Sequence, residues 1–135
     1  MACRDMVLVS PDPYILDFPA ARALFGRLAE ARTEIAAFAY LARDGRLLGM
    51  RHLRGEHAAM VDIPVRWVVA DALTFDAAAV VMAHNHPSGD PTPSAADRAA
   101  TRRLLVALEP IEVRLIDHLV LARDGTASFH ALGWL

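Results

Sequence analysis

The spacing of apolar residues changes several times along the chain, and each change marks an element. In DFPAARALFGRLAEAR, Leu24, Phe25 and Leu28 fall at helical spacing behind Asp17, a side chain suited to capping a first turn. This predicts a helix over about 18–32, with Gly26 its weak point because glycine lowers helix propensity. EIAAFAYLARDGRLLGMRHL reads as two strands, about 34–42 and 46–53, around Asp44-Gly45, a dipeptide favoured in hairpin turns. IPVRWVVADALTF sets Val65, Val68, Val69, Ala72 and Leu73 behind Pro64 and predicts a helix of about ten residues. AAAVVMAHNH has no polar alternation until its end, as expected of a strand covered on both faces.

The clearest helix is SAADRAATRRLLVALE. Its apolar residues Ala99, Ala100, Leu104, Leu105 and Leu108 take one side, and Arg98, Arg102 and Arg103 the other. Pro110 closes it, and EVRLIDHLVLA follows as a long strand. The letters LARDG occur at 41–45 and again at 121–125, but their flanks differ, so two hairpins share turn chemistry without a duplicated domain. Helix, hairpin, helix, strand, helix and strands in that order predict one mixed α/β domain, a sheet flanked by helices. A chain of 135 residues is long enough to bury one core.

Composition narrows the function classes. At 55% hydrophobic and 22% charged, the chain is not a disordered one. Its wholly apolar runs, such as residues 77–83, fall far short of the roughly 20 residues that span a bilayer, so no membrane partner is expected. MACRDMVLVSPD has no signal-peptide pattern, which leaves the cytoplasm as the expected compartment. The single cysteine, Cys3, excludes an internal disulfide framework and a Cys-rich zinc knuckle, so any metal must rest on histidine and carboxylate. A formal charge of -2 does not favour DNA as a partner, and the three arginines read as the solvated side of their helix. Nothing in the sequence specifies an oligomeric state.

The chemistry concentrates in MAHNHPSGDPTPSAAD, residues 82–97. Two residues apart on a strand point to one face, so His84 and His86 would present both imidazoles together, at the carboxyl end where α/β sheets place their sites. A zinc site with an open position needs a third ligand, and Asp97 is the candidate. A plainer reading stands beside this one. Ser94-x-x-Asp97 suits a capping box, and strand-end histidines are commonly ordinary polar residues. The string HNH alone lacks the spaced constellation of a nuclease, and SGDPTP has no lysine for a phosphate loop.

HNHPSGDPTPSAAD resembles the JAB/MPN (JAMM) metalloprotease signature, a His-x-His pair followed by Ser-x-x-Asp, in the wording of its bacterial RadC-like branch. ATRRL at 100–104, LIDHLVL at 115–121 and SFHALGW at 128–134 extend the likeness. IPVRWVVADAL is a looser match, with Val65 between Pro64 and Arg66, and the likeness as a whole covers about residues 30–134. It implies a JAB/MPN-like (cytidine-deaminase-like) mixed sheet with zinc held by His84, His86 and Asp97. It also implies that Ser94 steadies an oxyanion, and that Glu34 in TEIAAFAYLARDG, on the first strand of the hairpin, is the general base. Glu30 and Glu56 fit that role less well.

The activity implied is zinc-dependent hydrolysis of a peptide or protein substrate, by a peptidase or isopeptidase. The alternative is a non-catalytic or DNA-associated RadC-like accessory domain. About 30 residues precede the matching region, too few for the helix-hairpin-helix module of full-length relatives, which weakens the DNA reading. Supporting roles are expected from Asn85, tying down the loop after it, and from Asp76, Asp117 or a backbone carbonyl, orienting an imidazole. His118, in the DHLVL segment that carries part of the likeness, is expected as a strand histidine near the edge of the site at least as readily as a catalytic one.

Overall fold

The computed structural model describes residues 6–7 and 17–135, and Cys3 lies outside them. Among the described residues six strands form one sheet: β1 (Met6–Val7), β2 (Ile35–Leu41), β3 (Leu47–Arg54), β4 (Ala79–Asn85), β5 (Arg114–Ala122) and β6 (Gly125–Ser128). Their order across the sheet is β1-β3-β2-β4-β5-β6. Among the described residues only β4 and β5 pair in parallel, and the connection between them carries a helix, the usual form of a parallel crossover.

Helix α1 (Phe18–Phe25) covers one face of the sheet, while α2 (Val65–Thr74) and α3 (Ala95–Leu108) cover the other. Ala36, Phe38, Tyr40, Val80 and Met82 share a core with Val68 and Ala72 of α2 and Ala100, Leu104 and Leu108 of α3. The alternate residues Ala37, Ala39, Leu41, Val81 and Ala83 meet Ala21 and Phe25 of α1. Both β2 and β4 are therefore buried along their whole length, which is why neither shows polar alternation. Each large side chain fully buried in these cores, such as Phe38 or Leu104, stabilises the fold by roughly 1.5–3 kcal/mol. The mixed α/β sheet flanked by helices stands as expected. No helix among the described residues is long and apolar enough to cross a membrane.

Several expectations need correction. The helix expected over 18–32 is α-helical only to Phe25 and continues as a 3-10 helix over Gly26–Glu30. Gly26 weakens the α-helix where it stands, and the tighter turn keeps Phe25 and Leu28, three apart, both in the core. Asp17 does cap α1, accepting from the Ala20 N–H at 2.9 Å. In α2 the apolar pattern fails at its end: Leu73 is exposed and Asp71 is buried in its place. In α3, Ala99 is exposed, whereas Asp97 and Thr101 are buried.

The two LARDG segments do turn hairpins, by different geometries. In the first, the Gly45 N–H donates to Ala42 O at 2.9 Å, and Gly45 takes a φ of 90°. In the second, Ala122 pairs with Gly125 across a two-residue turn, and the Asp124 N–H donates to Gly89 O at 3.0 Å. The second turn thus braces the loop that follows β4.

Candidate metal centre

β4 ends at Asn85, yet the His86 N–H still donates to Leu121 O of β5 at 2.9 Å. The strand geometry therefore carries one residue further and keeps His84 and His86 on one face, the α2 and α3 side. Pro87 stops the ladder, and the Gly89 N–H closes a turn back to His86 O at 3.0 Å. Gly89 has a φ of 95°, and a Cβ there would lie 2.7 Å from the Arg123 guanidinium, so the turn needs glycine. Beyond it, the Asp90 carboxylate accepts from Thr92 N–H at 2.9 Å and from its hydroxyl at 2.7 Å. Those bonds hold the Asp90 carboxyl below its ordinary value.

Ser94 then starts α3. Its hydroxyl accepts from the Asp97 N–H at 3.0 Å, and Asp97 Oδ2 accepts from the Ser94 N–H at 2.7 Å. The capping box is complete, with aspartate in the place usually held by glutamate. The same helix start delivers Asp97 to the two histidines. His84 Nε2 and His86 Nε2 are 3.0 Å apart, with Asp97 Oδ1 3.1 Å from the first and Oδ2 3.1 Å from the second. His84 and Asp97 are buried, while His86 keeps an open side.

This donor set fits a divalent cation. Two ligand atoms each about 2.05 Å from a tetrahedral zinc lie roughly 3.3 Å apart, close to the spacings of the triangle. The ligating atoms of the three residues all lie within 4.8 Å of one another. Burial alone would raise the Asp97 carboxyl. The hydrogen bond and charge of His84, the Ser94 N–H and the His86 ring outweigh it and hold the carboxyl well below the usual carboxylate range.

Behind the triangle stands His118, completely buried rather than at the edge of the site. Its Nε2 is 2.7 Å from His84 Nδ1, and its Nδ1 is 2.6 Å from the Thr101 hydroxyl. Burial pushes the His118 imidazole well below its ordinary pKa. Phe129 stacks on this ring at 4.5 Å, Trp134 meets Phe129 edge-on, and the Arg98 guanidinium lies 4.2 Å above Trp134. The contact had a partial sign in the sequence, a histidine inside the apolar run LIDHLVLA, but its target depends on the register in which Met82 pairs with His118.

The other supporting expectations are redistributed. His86 Nδ1 bonds Asp90 O at 2.9 Å, so a backbone carbonyl does orient one imidazole. Asp117 orients neither. Its carboxylate accepts from the N–H groups of His118 and His130 and from the Ser128 hydroxyl, pinning the C-terminal turn. Asp76 follows α2 in a left-handed conformation, and among the described residues no hydrogen bond joins its side chain to an imidazole of the triangle. Asn85 ties the segment before β2 rather than the loop after itself, accepting from the Ile35 N–H and donating to Ala31 O and Thr33 O.

Glu34 stands exposed one residue ahead of β2, not within the strand, and no hydrogen bond joins it to the triangle among the described residues. Ala36 pairs with His84, so counting the antiparallel register back two residues sets Glu34 across from His86. A cleft of about 840 Å³ lined by Arg22, Arg32 and Arg123 reaches His86 from the α1 side and touches neither His84 nor Asp97.

The sequence matches the family model of the RadC-like JAB domain over residues 18–134. A UPF0758 protein of Xanthomonas axonopodis pv. citri is 42% identical over 120 residues, covering 88% of this chain and 53% of the relative. A UPF0758 protein of Vibrio cholerae is 41% identical over 109 residues, 81% of this chain and 68% of the relative. A third, from Xylella fastidiosa, is 40% identical over 116 residues, 86% of this chain and 52% of the relative. The chain spans about half the length of the Xanthomonas and Xylella relatives it matches.

Proposed function

This chain belongs to the RadC-like JAB domain family, and from that premise we propose that it is a zinc-dependent hydrolase of amide bonds. Within the JAB/MPN type it acts as a peptidase or isopeptidase on peptide or protein substrates in the cytoplasm. The observation that carries this reading is the convergence of His84 Nε2, His86 Nε2 and the Asp97 carboxylate at 3.0–3.1 Å. Those three groups would hold the ion. When bound, zinc supplies Lewis acidity toward water and toward a carbonyl oxygen.

The chain's own residues divide the remaining work. The open side of His86 leaves room for substrate, whereas buried His84 and Asp97 anchor the site. Glu34, free in solvent and across from His86 by register, takes a proton from the attacking water and returns it to the leaving amine. In the capping box the Ser94 hydroxyl accepts its bond from Asp97 N–H, so its own proton remains to donate to the oxyanion. A donor aimed in this way lowers a barrier by about 3 kcal/mol.

The test is zinc content in protein purified without chelator, followed by cleavage profiling on peptide and isopeptide libraries for wild type and Glu34→Gln. Zinc at one equivalent and Glu34-dependent cleavage are expected. Protein that neither holds nor takes up zinc sinks the metal centre. Zinc binding without cleavage by wild type selects the accessory-domain alternative, and cleavage unchanged in E34Q removes Glu34 as the base.

A further inference from the structure

We infer that Thr101 and His118 are positioning residues that set the tautomer of His84 and so aim its Nε2 lone pair into the triangle. The inference rests on the metal-site reading. Thr101 Oγ1 donates to the Asp97 backbone carbonyl one helical turn before it, at 2.9 Å. A hydroxyl has one proton to give, so toward His118 Nδ1, 2.6 Å away, the same oxygen acts as acceptor. The proton between them therefore sits on His118 Nδ1.

The next step follows from the burial of the His118 ring. It is fully enclosed, stacked on Phe129, and has no carboxylate among its ring hydrogen-bond partners. A neutral imidazole carries one N–H, so with Nδ1 protonated its Nε2 is a lone pair. That lone pair accepts from His84 Nδ1–H at 2.7 Å. When His84 is neutral, as a metal ligand must be, its Nε2 is then the bare nitrogen, and it is the atom facing Asp97 and His86.

The relay begins and ends on candidate ligands. Asp97 supplies its backbone carbonyl at one end and its carboxylate beside His84 at the other. His86 is set more simply, by the single backbone acceptor Asp90 O in an exposed loop. Two ligands of one centre are thus oriented by devices of different rigidity, a buried chain of side chains and one loop carbonyl. The buried chain holds the ligand more firmly.

The experiment has two readouts, neither of them catalytic. Imidazole nitrogen NMR on the whole protein, metal-free and zinc-loaded, is expected to show His118 protonated at Nδ1 and bare at Nε2 in both forms. A proton on His118 Nε2 overturns the relay. Zinc affinity, read by competition with a chromophoric chelator, is expected to weaken about 10–100-fold in H118F and about 10-fold in T101V, with T101S near wild type. T101V conserves shape and removes only the hydroxyl, so it decides the matter should H118F fail to fold. Equal zinc affinity in wild type and T101V overturns the relay while the metal centre stands. Nδ1-protonated His118 in a protein that takes up no zinc supports the relay's hydrogen bonding and sinks the metal reading alone.

Discussion

Asp71 and Asp97 are both almost fully buried carboxylates on helices that face the same side of the sheet, and their surroundings differ in one respect. Asp71 meets a permanent cation: Arg51 Nη2 donates to Oδ1 at 2.6 Å, Arg51 Nε donates to Oδ2, and the Tyr40 hydroxyl adds a bond at 2.8 Å. Asp97 meets two imidazoles whose ring nitrogens also face each other. A buried carboxylate needs a countercharge, and for Asp71 the polypeptide provides it. The groups around Asp97 are lone-pair donors as far as they are neutral, the composition of a cation's coordination sphere. The first cluster is closed within the fold, whereas the second is one that could hold a metal ion.

The sharpest way to break this contrast is to strike each cluster and read both properties. Arg51→Met leaves Asp71 buried without its cation and is expected to cost about 3–5 kcal/mol in denaturant unfolding, with zinc affinity near wild type. A loss of zinc binding in the folded variant would show that the clusters are not separate. Asp97→Asn is the converse. Its amide oxygen can still accept from the Ser94 N–H, so the melt should move little while zinc affinity falls by at least about 100-fold in a chelator competition.

Acid and base should separate the clusters as well. The depressed pKa of His118 means that below its ordinary value of 6.5 the unfolded chain binds a proton that the folded ring refuses. Stability of the metal-free protein is then present above that pH and lost as pH falls, by about 1.4 kcal/mol per unit, a slope that H118F should abolish. Tyr40 acts at the other end. Burial, then the charge of Asp71, raises its pKa, so its contribution is present below the ordinary 10.0 and is lost as pH rises through the folded value. Urea melts across pH 4–11 measure both limbs. The smallest expected effect is Ser94→Ala, about 1 kcal/mol of stability from the lost cap.

The triangle was legible in the sequence because it is local. Residues 84, 86 and 97 lie within one strand end, one rigid turn and one helix start, and strand alternation with the capping pattern suffices to bring them together. The double burial of β2 and β4 was equally plain in their unbroken apolar runs. The contact of His118 with His84 was not legible, because it exists only through the β4 and β5 register, which no local pattern encodes. The Arg51, Asp71 and Tyr40 cluster was hidden for the same reason, since a charged residue in an alternating strand reads as solvent-facing. Leu73 fell the other way: apolar spacing alone could not show that α2 turns Asp71 inward to meet Arg51.

His84, His86, Asp97, Thr101 and His118 all come from one strand, the helix after it and the strand that pairs with it in parallel, residues 79–122. Parallel pairing needs a crossover connection, here the one carrying α3, and such non-local closure is slow compared with a hairpin. The β2 and β3 hairpin, with Glu34 at its threshold, can therefore form early, while the triangle and its relay assemble together in the step that docks β5 against β4. During synthesis the polypeptide carries an incomplete cluster until residue 122 has emerged, so the moment at which the cluster could first accept a cation is written into the topology of the sheet.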